Sequence, residues 1–310
     1  DGHTDQFKTE KFFEAGDIIL DPFSGSGTTL VQANELGMHA IGVDVSQFNC
    51  MVAEVKLLDY DIEKMEKTIK DILNKVINFE VDNELKDFEA DLYAKMSDFN
   101  NKYFPSPEFK GKVNRREVNE WKFGLEKEKQ FLKIYNDLIK KYKIRLEQDK
   151  KSNFLDKWYV ESVRKEIDLT FGLIKDIKDI KIKKILAVIL SRTIRSCRAT
   201  THSDLATLKN PQITTYYCFK HKKICKPIFS IKDMFTRYAN DTVQRIKQYS
   251  RLKKKVYYSV LPSDSRTVDI NKEVKKRSEK FYDILIKNKI SGIFSSPPYV
   301  GQIDYHEQHA

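Results

Sequence analysis

The sequence predicts an α/β protein built on an open parallel sheet that is interrupted by a large, mainly helical insertion. Three observations carry that prediction. The chain opens with a strand-helix-strand pattern, runs through about 200 residues of helical periodicity, and returns to two strand-turn units near its end.

Taken in order, Asp17 to Leu20 and Ala40 to Val43 are short apolar runs closed by Gly- or Asp-bearing turns, the pattern of strands buried on both faces of a parallel sheet. Between them, Thr28 to Leu36 predicts a helix that stops at Gly37. After Val45 the apolar spacing becomes helical. One stripe runs Val55, Leu58, Ile62, Met65, Ile69, Ile72 and Val76, and a second runs Leu125, Phe131, Leu132, Tyr135, Leu138, Ile139, Tyr142 and Leu146. A third runs Ile180, Ile182, Ile185, Leu186, Ile189, Leu190 and Ile194. Pro105 and Pro107 place a break at "FPSPEFKG", and no further proline occurs before Pro211, which leaves room for long helices. Strand character returns at Val256 to Leu261, which closes in "PSDSR", and at Gly292 to Ser295, which closes in "SSPPY". The expected organisation is therefore 1–58 and 256–310 as two halves of one sheet domain, 59–190 as a helical insertion, and 191–255 as a basic segment.

Charge locates a partner. The chain carries a net +11, but between Arg192 and Lys255 there are 16 Lys/Arg against Asp204, Asp233 and Asp241, so that this segment holds +13 and the remainder sums to −2. Tyr216, Tyr217, Phe219, Phe235, Tyr238 and Tyr249 are interleaved with those charges, which suits a polyanion with stackable bases. Arg192, Arg195 and Arg198 recur every third residue at the end of the third stripe and are the candidate phosphate contacts. Four cysteines, Cys50, Cys197, Cys218 and Cys225, do not form a disulfide framework, and no run approaches the roughly 18 apolar residues of a membrane span. The expectation is a soluble, cytoplasmic protein. Cys218-x2-His221-x3-Cys225 has ligand types suited to zinc, with Cys197 or His202 as a fourth. Because the double Cys-x-x-Cys pattern is missing and isolated cysteines commonly serve as buried side chains, no metal is assigned.

The stretch "DPFSGSGTT" at residues 21–29 follows the first strand directly. A phosphate-binding P-loop places Lys before its Ser/Thr, and "GSGTT" has none, which disfavours a nucleoside triphosphate. What remains is a strand, a Gly-x-Gly turn and a helix N-terminus, an arrangement in which backbone approaches a ligand closely. Asp44 ends the next strand 17 residues after Gly27, near the spacing at which a carboxylate accepts bonds from ribose hydroxyls.

Together, "DPFSGSGTT" and "SSPPY" resemble motifs I and IV of the S-adenosylmethionine-dependent amino-methyltransferases of DNA. The resemblance implies a Rossmann-like methyltransferase sheet, S-adenosylmethionine as cofactor and double-stranded DNA as partner. It further implies that Asp21, Phe23 and the Ser24, Gly25, Ser26, Gly27 turn with Thr28 surround the methionine part of the cofactor. By the same resemblance, Asp44 holds the ribose and Asp264 lies beside the adenine, and Thr4 to Lys8 are a weak match to a cofactor-contacting N-terminal motif.

The chemistry of Ser296, Pro297, Pro298 and Tyr299 fits a catalytic role. A base amine is a poor nucleophile because its lone pair is delocalised into the ring. The Ser296 hydroxyl and the Pro297 carbonyl are suited to accept its two hydrogens, and two prolines fix φ and leave their carbonyls unpaired. Tyr299 then stacks on a base rotated out of the duplex. A serine in the first position of the motif is, within the family, more typical of N4 of cytosine than of N6 of adenine. The expected function is a site-specific DNA methyltransferase of a restriction-modification type, or a fragment of one. Two other classes stay open: a catalytically silent DNA-binding or specificity fragment, and a methyltransferase for RNA or a protein amide. Only 11 residues follow Tyr299. The sheet is therefore expected to be incomplete at its C-terminus, with a further segment or chain completing the catalytic domain.

Overall fold

The computed structural model describes residues 12–79, 83–148, 153–202 and 210–294. Thr4 to Lys8 and the whole of Ser296, Pro297, Pro298 and Tyr299 lie outside the described residues. The chain divides into two compact units, one of residues 1–66, 178–188 and 241–310, the other of 67–177 and 189–240.

The first unit contains a parallel sheet. Its strands are β1 (Ile18–Asp21), β2 (His39–Asp44), β5 (Tyr258–Pro262) and β6 (Gly292–Ile293), in the order β5-β2-β1-β6. Ile19 pairs with Ala40 on one side and Gly292 on the other, and Ala40 pairs with Tyr258. Successive side chains point to opposite faces, and both faces are covered. Ile19, Ala40 and Val260 pack with Leu30 of α1 (Thr28–Glu35) and with Cys50, Ala53 and Leu57 of α2 (Gln47–Leu57). Ile18, Leu20, Ile41, Val43 and Leu261 pack with Val274 of α11 (Ile270–Arg277) and with Phe281 and Leu285 of α12 (Glu279–Asn288). This double burial explains why the strand sequences read as continuous apolar runs. Gly42 brings β2 close to α1, because a Cβ there would lie 2.8 Å from a Leu30 methyl and 2.9 Å from Ser24 Cβ.

The sequence-predicted strand and helix of the opening unit appear within a residue or two of their expected bounds. The first helical stripe does not form one helix. It is split into α2 and α3 (Ile62–Ile77), because Leu58 adopts an extended conformation (ψ 152°) and Asp61 caps the next helix by accepting from the Lys64 amide at 3.0 Å. The second stripe forms α6 (Glu120–Tyr142), which stops before Leu146 at Lys143, in the left-handed region at φ 52°. The third forms α9 (Ile180–Ser196), and the break at "FPSPEFKG" separates α4 (Asn83–Tyr103) from α5 (Glu108–Asn114).

The sheet unit also takes in 178–188 and 241–255, which the sequence reading gave to the insertion and to the basic segment. Side-chain contacts explain this. Lys184 pairs with Glu54 at 2.6 Å, Tyr249 of α10 (Lys232–Leu252) packs on the α1/α2 core, and Lys253 donates to the Leu57 carbonyl at the C-terminal end of α2.

The second unit is helical around an aromatic core. Phe88 of α4 stacks edge-on against Tyr135 of α6 and Phe229, with ring centroids 6.0 and 5.5 Å apart. Also in this unit are α7 (Phe154–Trp158) and α8 (Glu161–Lys175). The basic segment holds a feature with no clear periodic signal, the antiparallel hairpin of β3 (Tyr216–Cys218) and β4 (Lys223–Cys225), with Tyr216 opposite Cys225. A two-stranded hairpin is marginal by itself. Here helix side chains satisfy its outer edges: Asn100 exchanges two bonds with the Ile224 backbone (2.9 and 3.0 Å), and Glu128 accepts the Tyr217 amide at 2.9 Å.

Candidate functional site

The strand order creates a switch point. From β1 the chain moves to β2 and β5 on one side, then crosses to β6 on the other, so the carboxyl ends of β1 and β6 are neighbours. The Phe294 amide donates to Leu20 at 3.0 Å, one residue before Asp21. "SSPPY" is the next stretch of chain. The glycine turn follows β1, and the described chain ends at Phe294 beside it.

The "DPFSGSGTT" turn is held by its own groups. Asp21, buried at the end of β1, accepts the Phe23 amide at 3.0 Å. Phe23 is 46% exposed, a large apolar ring at the mouth of the turn. Ser24 is buried and clamps the turn to β2, through its amide to the Val43 carbonyl at 2.9 Å and its hydroxyl to the same oxygen at 3.3 Å. The Gly25 amide donates to Asp44 Oδ2 at 2.9 Å. Ser26 is exposed, and its carbonyl and hydroxyl accept from Lys56 Nζ at 2.6 and 3.1 Å. Gly27 sits at φ 77°, a left-handed conformation, and a Cβ on it would lie 2.5 Å from the Ala53 Cβ. Only glycine satisfies both demands. Thr28, exposed, is the first residue of α1.

The α1 N-terminus differs from its neighbours. Ser46, Asp269 and Ser278 cap α2, α11 and α12 by side-chain bonds, whereas Gly27 offers α1 no side-chain cap. Uncapped N–H groups and the positive end of the helix dipole suit an anionic group such as an amino-acid carboxylate.

Asp44 closes the other side. Its Oδ1 accepts the Ser46 amide at 2.8 Å and the Asn49 side-chain amide at 3.2 Å, while Oδ2 takes Gly25. The carboxylate thus joins the turn to the start of α2. The Ser263 amide bonds the Asp44 carbonyl at 3.0 Å, which brings the loop bearing Asp264 to the same strand end. Asp264 is engaged by Arg266 through two nitrogens, and those hydrogen bonds hold its carboxyl down at about 2. A depression of about 250 Å³ elsewhere in this unit is lined by Tyr60, Lys64, Asp179 and Ile180 and by none of these residues.

Three contributors escaped the sequence reading. Lys56 steadies Ser26, and burial followed by the nearby Arg245 charge holds its ammonium below the ordinary lysine value. Asn49 orients Asp44, and Ala53 leaves room for Gly27. The Ser46-x2-Asn49 capping spacing was the available signal for one of them.

The three candidate arginines differ in placement. Arg192 lies over the Tyr238 ring at 4.4 Å, and the Arg198 charge acts on the buried Tyr159 hydroxyl, whereas Arg195 is exposed. Arg198 also falls beyond the end of α9 at Ser196, so the three do not form one helical edge.

Comparison with known proteins gives the geometry a lineage. Residues 9–55 match the family profile described as DNA methylase, of the N6/N4 type. The chain is 46% identical over 309 residues to the Type II methyltransferase M.MjaII of Methanocaldococcus jannaschii, covering 98% of this chain and 58% of that protein. It is 41% identical over 59 residues to the Type II methyltransferase M.BsoBI of Geobacillus stearothermophilus, covering 18% of this chain and 12% of that protein. The chain therefore spans little more than half of the first relative. No solved structure matches it. The profile match covers β1, the glycine turn, α1, β2 and most of α2, and together with the 46% identity to M.MjaII along 98% of this chain it supports a DNA amino-methyltransferase.

Proposed function

We propose that this chain forms part of a site-specific DNA methyltransferase that moves a methyl group from S-adenosylmethionine to an exocyclic base amine, N4 of cytosine in preference to N6 of adenine. The observation that supports the reading is the adjacency of the β1 and β6 carboxyl ends, because in the sequence the glycine turn follows β1 and "SSPPY" follows Phe294. The cytosine preference rests on the serine at position 296. Duplex DNA as partner is supported by the family and by the +13 segment.

The cofactor reading is supported by the cradle at Gly27, which a Cβ would fill, and by the uncapped start of α1. The turn from Phe23 to Thr28 would hold the amino-acid part of the cofactor, Asp44 the ribose hydroxyls, and the Asp264 loop the adenine. When bound, S-adenosylmethionine supplies a methyl group made electrophilic by its sulfonium. The residues of this chain then position the acceptor. Ser296 Oγ and the Pro297 carbonyl take the amine hydrogens, so that the nitrogen lone pair is directed out of the ring's conjugation. So directed, the nitrogen would be poised to accept that methyl group and to give up one of its protons. Tyr299 stacks on the flipped base. Arg195, exposed on α9, is the best supported of the three candidate phosphate contacts.

Sequencing DNA from a host that expresses the full reading frame, with detection of modified bases, tests the reading. N4-methylcytosine at one short recurrent sequence is the expected result. N6-methyladenine would overturn the cytosine preference, and unmodified DNA would overturn the activity.

A further inference from the structure

We infer that His202, Cys218, His221 and Cys225 form a structural zinc site that fastens the β3–β4 hairpin to the chain after α9. One ligand atom from each of the four lies within 4.8 Å of all the others. The sequence left the fourth ligand open between Cys197 and His202 and assigned no metal. The fold selects His202: Cys197 is outside the group and buried, while His202 lies six residues past the end of α9.

The distances match one tetrahedral ion. With zinc–sulfur bonds of about 2.3 Å and zinc–nitrogen bonds of about 2.0–2.1 Å, the sulfur–nitrogen edge of a tetrahedron is about 3.6 Å. Cys218 Sγ lies 3.7 Å from His202 Nδ1, and Cys225 Sγ lies 3.5 Å from His221 Nδ1. A binuclear cluster with its cysteines on one iron and its histidines on the other would set such pairs farther apart. Two thiolates with two imidazoles in this geometry select zinc among common ions.

The surroundings fit the role. Both cysteines are buried and unlinked by disulfide, and they come from the two strands of a single hairpin. The His221 amide donates to Cys218 Sγ at 3.4 Å, a bond that favours the thiolate a metal requires. The Tyr216 hydroxyl accepts the His202 amide at 3.1 Å and lies 2.8 Å from His202 Nδ1. A metal at Nδ1 displaces the second contact and leaves the first to hold the residue in place. Four protein ligands leave no open position, which makes the site structural and not catalytic. It would hold a hairpin that carries Lys220, Lys222 and Lys223. A two-stranded hairpin needs such support.

Metal analysis of the purified chain decides the matter, independently of methyl transfer. About one zinc per chain is expected, and cobalt(II) in its place should give thiolate charge-transfer bands with the intense visible bands of a tetrahedral ion. Cys218→Ser with Cys225→Ser should abolish binding, while Cys197→Ser and Cys50→Ser should retain it. If the double variant does not fold, the wild-type chain still serves: X-ray absorption at the zinc edge should show two sulfur and two nitrogen neighbours. Likewise, two thiols should react with a thiol reagent only after a chelator is added. Absence of zinc together with failure to bind cobalt, loss of metal in Cys197→Ser, iron in place of zinc, or thiols released by reductant and not by chelator would each overturn the site.

Discussion

Asp44 Oδ2 accepts the Gly25 amide at 2.9 Å, a bond across 19 residues that joins the end of β2 to the glycine turn after β1. A carboxylate already fixed by Gly25, Ser46 and Asn49 needs no further ordering to accept a hydroxyl of the proposed cofactor. Asp44→Asn sets a donor against one of these donors. It should weaken binding of S-adenosylmethionine or its demethylated product by about 1–3 kcal/mol and speed hydrogen exchange at the Gly25 amide. Calorimetry giving equal affinity for variant and wild type would remove Asp44 from the site.

Gly27→Ala should lower stability by about 1–3 kcal/mol and weaken the cofactor further, because the new methyl meets Ala53 and the φ of 77° disfavours any Cβ. Adding Ala53→Gly relieves the contact but not the backbone strain, so rescue should be partial. Complete rescue in a thermal unfolding series would show that the left-handed conformation costs nothing.

Arg195→Gln should flatten the plot of log affinity against log salt by about 0.9 on duplex DNA while leaving the unfolding midpoint unchanged. Arg192→Gln should instead cost about 0.5–1 kcal/mol of stability through its contact with the Tyr238 ring. Equal slope changes for the two variants would mean that both arginines reach phosphate.

Ser296→Ala and Tyr299→Ala, made in the full reading frame, should lower methyl transfer tenfold or more, about 1.4 kcal/mol of barrier, with cofactor affinity nearly unchanged. The proposed contacts of both residues are with the base. Unchanged turnover in Tyr299→Ala would end its stacking role.

Glu166 predicts a pH dependence. It is buried, its carboxylate accepts the Ile231 amide at 2.7 Å and the Ser230 hydroxyl at 3.0 Å, and burial outweighs these bonds to hold its pKa above the ordinary 4.5. An acid whose folded value is raised contributes stability that is complete below its unfolded value and is lost as pH rises through the folded one. The wild type should therefore lose stability relative to Glu166→Gln as pH is raised from about 4.5. Urea unfolding of both proteins across that range measures the gap, and a gap that widens in favour of wild type would reverse the assignment.

The sequence by itself determined what depends on neighbours along the chain. Apolar runs and turn residues marked β1, α1 and β2, since a strand, a glycine turn and a helix start are set by local backbone preferences. The two motifs carried the resemblance to the family for the same reason. What the tertiary structure decided rests on contacts between distant segments. Periodicity merged α2 with α3, because the stripe continues through Leu58 although the backbone there is extended. Lys56 reaches Ser26 across 30 residues, and Arg192 is drawn over Tyr238. His202, not Cys197, lies with Cys218, His221 and Cys225, because Cys197 is itself buried just past the end of α9 and the chain beyond it carries His202 to the hairpin. Spacing records separation along the chain, whereas a ligand set or an ion pair requires convergence in space, which packing of the helices and strands alone supplies.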